Sequence, residues 1–142
     1  PAGGLPETAG RIILDVTGGD PAVVVPMSQV APTYAPADAE LLVASFIDTP
    51  LDTPTEALAA ATTASLGAWY PERSFAELRV LATDRIADAQ PVQPPGFAAR
   101  RPEVTAPPAP VVLAGAVTHW ASIEGVIASG LEAARAVATA QR

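Results

Sequence analysis

The sequence predicts an α+β fold, and three observations carry that prediction. Two short β-branched runs, Arg11–Val16 and Ala22–Met27, read as strands. A Thr-Pro-Thr-Glu signal at 53–56 opens a helix, and an apolar stripe recurring every three or four residues from Ser122 to about Gln141 makes a second helix.

The elements follow in order. Residues 1–10 are a Gly/Pro-rich lead-in without periodicity. The runs RIILDV and AVVVPM flank the turn signal Thr17-Gly18-Gly19-Asp20 and together predict a hairpin, with Pro26 at an edge or a strand end. Ala31–Asp38 is a proline-bracketed loop. Glu40–Ile47 (ELLVASFI) is apolar enough for a strand in the middle of a sheet. The helix after it has Thr53 as cap, Pro54 in the first helical position and Glu56 three residues after the cap. It runs to about Ala68 and stops at Trp69-Tyr70-Pro71 because proline disfavours helical geometry in the residue before it. Phe75–Ala87 alternates loosely and favours a strand over a helix. Gln90–Pro110 holds seven prolines and reads as an irregular crossing connection. Val111–Ala114 is a short buried-type strand, Gly115–Ala121 a loop, and the final helix carries Ile123, Val126, Ile127, Leu131, Ala134 and Val137 on one stripe, with Glu132 and Arg135 toward solvent.

Composition excludes several kinds of chemistry. The 142 residues include 31 alanines, 16 prolines, eight basic residues that are all arginine, one histidine, and no lysine or cysteine. No lysine Schiff base, P-loop lysine, thiol nucleophile, disulfide, cysteine zinc site or multi-histidine metal site can be built from this set. A net charge of −7, with Arg100-Arg101 the only adjacent basic pair, argues against nucleic-acid binding. The apolar fraction of 49% can build a core, yet it leans on alanine, which buries little area, so the core should be thin. The uncharged stretch Val104–Ile123 is long enough to span a bilayer, but it holds Pro107, Pro108 and Pro110 at one end and Thr118, His119 and Trp120 at the other. No transmembrane segment is expected, and the chain reads as soluble and cytoplasmic. A start at Pro1-Ala2-Gly3-Gly4 shows no signal peptide and implies a processed chain or a piece of a longer one.

Three constellations could bear chemistry. Thr118, His119 and a nearby carboxylate could make a hydroxyl–imidazole–carboxylate set, although no Gly-x-Ser-x-Gly elbow is present and a histidine beside a tryptophan is more often a packing group. Asp84 and Asp88 would share a face only if their segment were helical. The stretch Gly115–Gly130 places a serine and small residues at a helix start, where unpaired N–H groups and the helix dipole favour a polar or anionic ligand. The plainer reading is a capped helix packed through Gly125 and Gly130 against a sheet.

The run VVLAGAVTHWASIEGVIASGLEAARAVA, Val111–Ala138, resembles the C-terminal flavin-contacting segment of the FAD-dependent amine oxidase and phytoene desaturase superfamily. That segment reads apolar strand, Ala-Gly-Asp, variable loop, Glu-Gly-Ala, Ser-Gly, Ala-Ala. The counterparts are Ala114-Gly115, Glu124-Gly125, Ser129-Gly130 and Ala133-Ala134. Met27–Leu42 (MSQVAPTYAPADAELL) is similar to the Ser-x-Val-Ala-Pro-x-Tyr-Ala-Pro-x-Gly-x-x-Leu pattern of one bacterial and plant branch. Trp69 through Ile86 to Gln90-Pro91 resembles the same branch's run into its final strand.

The resemblance implies a partial substrate-domain sheet, mixed or antiparallel, with one helix over residues 1–105. Residues 106–142 would be the terminal strand–loop–helix unit of an FAD-binding Rossmann-like domain. The Gly-x-Gly-x-x-Gly unit for the ADP half of FAD has no match, so an N-terminal FAD-binding half of the same protein is an implied partner, and the isolated chain is expected to be inactive.

The implied activity is hydride transfer from a C–N or C–C bond of a small-molecule organic substrate to FAD. The flavin carries the chemistry, and no catalytic residue is assigned. The implied cofactor-binding residues are Gly115 and Ala116 in the loop, then Ser122, Ile123, Glu124, Gly125 and Val126 at the helix start. Gly115 would let the backbone approach the cofactor, and the helix-start amides would face the pyrimidine edge of the flavin. Substrate contacts would come from the sheet. Ala116 stands where the family has an aspartate. Thr118-His119-Trp120 resembles the Thr-His-Trp of monoamine oxidases, whose cage tyrosine aligns with Ser122, so an aromatic cage is not implied. The alternative is a degenerate, non-catalytic flavoprotein-like binding module.

Overall fold

In the computed structural model, residues 4–105, 108 and 111–140 are described. The chain divides into two compact units, Pro1–Arg85 and Ile86–Arg142.

The first unit is built on a three-stranded antiparallel sheet, β1 (Ile13–Leu14), β2 (Val23–Val25) and β3 (Val43–Ser45), in the order β1-β2-β3. Ile13 pairs with Val24, and Val24 with Ala44. These three residues share one face because side chains alternate along a strand, and that face carries the core. Val24 and Leu66 are fully buried there, with Leu5 and Phe75, and Ile13, Leu42, Ala44, Trp69 and Tyr70 pack around them. After β2 the chain forms α1 (Met27–Val30) and a 3-10 turn, Pro32–Tyr34. After β3 comes α2 (Thr55–Trp69). It supplies Leu66 to the core, and Ser65 Oγ donates to the Asp20 carbonyl at 2.6 Å.

The α+β class and the β1–β2 hairpin agree with the sequence reading, and several details differ. The strand expected in mid-sheet, Glu40–Ile47, forms only as Val43–Ser45 and lies at the edge, with Val43 half exposed. The middle position belongs to β2, whose Val24 has no exposed surface. Asp48, at φ 59°, and Pro50 cut β3 short. At the first hairpin, the Asp15 N–H still bonds the Ala22 carbonyl at 3.0 Å, while its carboxylate accepts from the Thr17 amide at 2.7 Å and the Thr17 hydroxyl at 2.6 Å. The two carboxylate bonds, with a weaker one from the Gly19 amide, hold the Asp15 carboxyl below its usual pKa.

Thr53 does not cap α2. Pro54 occupies the cap position, and the Thr53 carbonyl accepts from the Arg85 guanidinium at 2.8 Å. The helix does end before Pro71, with the Tyr70 N–H on the Leu66 carbonyl. The strand expected over Phe75–Ala87 does not form. The segment has turns and irregular backbone, with Val80, Leu81 and Ile86 exposed, because no neighbouring strand among the described residues pairs with it. Asp84 and Asp88 therefore share no helix face.

In the second unit, α3 (Ile123–Ala140) follows a segment that includes a 3-10 turn, Phe97–Ala99. Val111–Ala114 is not a strand. Leu113 N–H bonds the Val104 carbonyl at 2.8 Å, and no strand among the described residues pairs with the segment. Pro107 and Pro110, in the expected crossing connection, and Gln141, at the expected end of the last helix, lie outside the described residues.

Leu66→Ala should lower the unfolding free energy by about 2–5 kcal/mol, the cost of truncating a fully buried leucine, read by urea denaturation. Asp15 contributes stability above the ordinary carboxylate range that is lost as pH falls through its depressed pKa. Thr17→Val should therefore raise the Asp15 titration midpoint in an NMR pH series.

Candidate functional site

The N-terminus of α3 and the loop before it form the site. Ser122 caps the helix: its Oγ accepts the Gly125 N–H at 3.1 Å, and its carbonyl accepts the Val126 N–H at 3.0 Å. The Ser122 N–H in turn donates to the Trp120 carbonyl at 2.8 Å. Of the five amides from Ser122 to Val126, three are thus used internally. The N–H groups of Ile123 and Glu124 meet no protein acceptor among the described residues, and the positive end of the helix dipole lies with them.

The loop is held by Gln93, which the sequence did not single out, and by Ser129 and Thr118, which it named in other roles. Gln93 spans it, donating from Nε2 to the Ala116 carbonyl at 3.1 Å and accepting the Ala121 N–H on Oε1 at 3.3 Å. Ser129, nearly two turns into α3, accepts the Gly115 N–H at 2.8 Å. Thr118 folds back on Gly115, its N–H reaching the Gly115 carbonyl at 3.2 Å and its hydroxyl donating to the same oxygen at 3.1 Å. The signal for Ser129 was present in the sequence: it lies four residues after Gly125, on the same helix face.

That face is the one buried. Gly125 and Ser129 are the buried residues of α3, whereas Ile123, Val126, Ile127, Leu131 and Val137 are exposed within their unit. The stripe read as core is therefore open. Small residues face the loop because the loop comes too close for large ones. A Cβ at Gly125 would run into the Trp120 carbonyl, whereas at Gly115 it would meet nothing within 4 Å. Glycine at 115 is fixed instead by φ +122°, a conformation L side chains rarely adopt.

A surface depression of about 410 Å³ lies against this helix end, lined by Ala89, Gln90, Pro91, Ala116, Ala121, Ser122, Ile123, Val126 and Ile127. Four of the seven residues implied for cofactor binding line it: Ala116, Ser122, Ile123 and Val126. The other three do not. Gly125 is packed on Trp120, Gly115 sits behind the loop against Ser129, and Glu124 is exposed with its side chain outside the lining. The walls are mostly apolar, the lining contains no carboxylate, and the volume is in the usual range for small-molecule sites, ~300–1,000 Å³.

Glu132, expected toward solvent, is half exposed and places Oε2 3.3 Å from His119 Nε2. The Thr118–His119–carboxylate set foreseen in the sequence is therefore assembled, but Thr118 is 3% exposed, too buried to reach a substrate as a nucleophile.

A family model described as flavin containing amine oxidoreductase matches residues 15–138. The chain belongs to this family. Comparison with curated proteins and with solved structures found no match. Membership in the flavin-containing amine oxidoreductases suggests flavin-dependent oxidoreductase activity on a small-molecule substrate. Among the described residues, no helix is long and apolar enough to cross a membrane. The depression suits the edge of a flavin ring, since it pairs apolar walls with two unused N–H donors at the positive end of a helix dipole.

Gly125→Ala should destabilise the protein by about 1–3 kcal/mol, as overpacking does. Gly130→Ala, where a Cβ meets nothing within 4 Å, should stabilise it by about 0.5–1 kcal/mol through helix propensity. Denaturation midpoints of the two variants test the loop contact, and equal effects would contradict it.

Proposed function

We propose that this chain is the C-terminal part of an FAD-dependent oxidoreductase acting on a C–N or C–C bond of an organic small molecule. Residues 1–105 would belong to the substrate-binding domain and residues 106–142 to the FAD domain. The observation that carries the reading is the convergence at the start of α3 of Ala116, Ser122, Ile123 and Val126 on one apolar depression beside two unused amides.

When bound, FAD would supply the hydride acceptor. The chain's own residues bind and orient it. Ile123 and Glu124 would offer their N–H groups to polar atoms of the flavin ring, and the dipole of α3 would favour negative charge there. Ala116, Ala121, Val126 and Ile127 would keep water from that contact. Ser122 and Gln93 hold the loop in place, and Gly115, packed behind it, fixes the turn from which it departs.

Support for an N-terminal half of the same protein comes from surfaces this chain leaves open. Beyond the residues that line the depression, Leu131 and Val137 on α3 are exposed in their unit, and Val111–Ala114 has no neighbouring strand among the described residues. Both are what a helix and a strand look like when their sheet is supplied from elsewhere. In the first unit, Ile12, Leu14 and Val43 are exposed on the sheet face opposite the core, where an apolar substrate surface would lie.

One observation favours the second reading, a degenerate binding module: Ala116 offers no side-chain acceptor where the resemblance implies an aspartate. The visible spectrum of the purified full-length protein, beside the 142-residue chain, tests the main reading. Flavin bands are expected in the full-length protein and absent from the shorter chain. A colourless full-length protein that FAD cannot reconstitute would overturn it. Ala116→Asp in the full-length protein should change FAD occupancy little, and a large gain would favour degeneration.

A further inference from the structure

Gln93 makes two bonds of the kind a neighbouring strand would make. Its Nε2 donates to the Ala116 carbonyl at 3.1 Å, and its Oε1 accepts the Ala121 N–H at 3.3 Å. The orientation of the carboxamide follows, because a carbonyl can only accept and an N–H can only donate. One side chain thus grips the loop at two points five residues apart, from a segment more than twenty residues earlier in the chain.

That earlier segment also lines the depression of about 410 Å³. Ala89, Gln90 and Pro91 come from it, while Ala116 and Ala121, the two residues that Gln93 grips, come from the loop. The depression is therefore built from two pieces of chain far apart in sequence, and the Gln93 carboxamide joins them. Residues 89–93 lie in no helix or strand, and Pro91 has no N–H to donate, so no backbone ladder holds this wall in place. Among the polar side chains of the lining, the Ser122 hydroxyl is spent on the Gly125 N–H, whereas Gln90 is exposed.

We propose that Gln93 is a positioning residue that joins the two walls of the depression, and that Gln90, on the wall so held, is a specificity-determining contact to the ligand. A carboxamide both donates and accepts, so Gln90 suits a ring edge on which carbonyl and N–H groups alternate. The assignment of that ring to a flavin rests on the function proposed above. Gln93 acts without touching the ligand: it spends its donor and its acceptor on the loop, and the ligand meets the wall that results.

The test pairs FAD titration of the full-length apoprotein with hydrogen exchange of its flavin-free peptide containing Ala121. Gln93→Leu should weaken FAD binding by about thirtyfold, the factor for two hydrogen bonds, and speed exchange at Ala121 by about tenfold. Gln90→Leu should weaken binding by about tenfold and leave the exchange as in wild type. Gln93→Glu keeps an acceptor for the Ala121 N–H but sets a second oxygen against the Ala116 carbonyl. Protonation restores the donor, and a carboxyl held against a carbonyl titrates above its usual range. FAD affinity of Gln93→Glu should therefore recover relative to wild type as pH falls from 8 toward 5. Wild-type affinity in Gln93→Leu, or no recovery in Gln93→Glu, overturns the role of Gln93, and the second result decides if Gln93→Leu fails to fold. Wild-type affinity in Gln90→Leu overturns the contact. A full-length protein that takes up no flavin refutes the cofactor assignment, and exchange at Ala121 then decides alone: faster in Gln93→Leu supports the join between the walls, and unchanged overturns it.

Discussion

A strand is stable only when a neighbour closes its hydrogen bonds, and this requirement governs which parts of the chain take regular form. β2 has a neighbour on each side, and its central Val24 is fully buried. Around that pairing the first unit collects Leu66 from α2, with Leu5 and Phe75. Val111–Ala114 is as apolar as β3 and Leu78–Ile86 alternates apolar with polar residues, but both find no partner among the described residues and stay irregular. Helices close their bonds internally, which is why α2 and α3 form in full while the segments beside them do not.

The same distinction explains how the candidate site keeps its shape. Its parts need no sheet. Ser122 caps α3, Gln93 bridges the loop, and Ser129 and Thr118 pin Gly115, all through contacts inside one unit. A loop fixed by local bonds can present the same two amides whether or not the surrounding sheet is complete. The open stripe of α3 lies on the other side of the helix from Gly125 and Ser129, so covering that stripe need not disturb the loop.

What was legible in the sequence follows from the range of the interactions involved. The two long helices are set by local periodicity and by Pro71, and both lie within two residues of their expected bounds. The hairpin was legible because its turn is local. The strands over 75–87 and 111–114 were overcalled, since apolarity marks a segment that could pair but not whether a partner exists. At the site, the sequence located the helix start and four residues of the depression. It missed Gln93, which reaches the loop across more than twenty residues, a contact no local pattern encodes. Glu132 is exposed as expected, and its contact with His119 joins α3 to the loop, which no local pattern encodes.

The alanine at 116 bears on how loop and ligand divide the work. Ala116 enters the loop's bonding through its carbonyl, held by Gln93, and its side chain is one wall of the depression. Nothing that shapes the loop depends on which side chain stands there. An alanine where the resemblance implies an aspartate therefore does not loosen the frame that orients the Ile123 and Glu124 amides. A carboxylate beside the depression would also add negative charge near a helix end whose first turn already carries Glu124. Alanine at 116 thus leaves the wall of the depression apolar and the frame around the two amides intact.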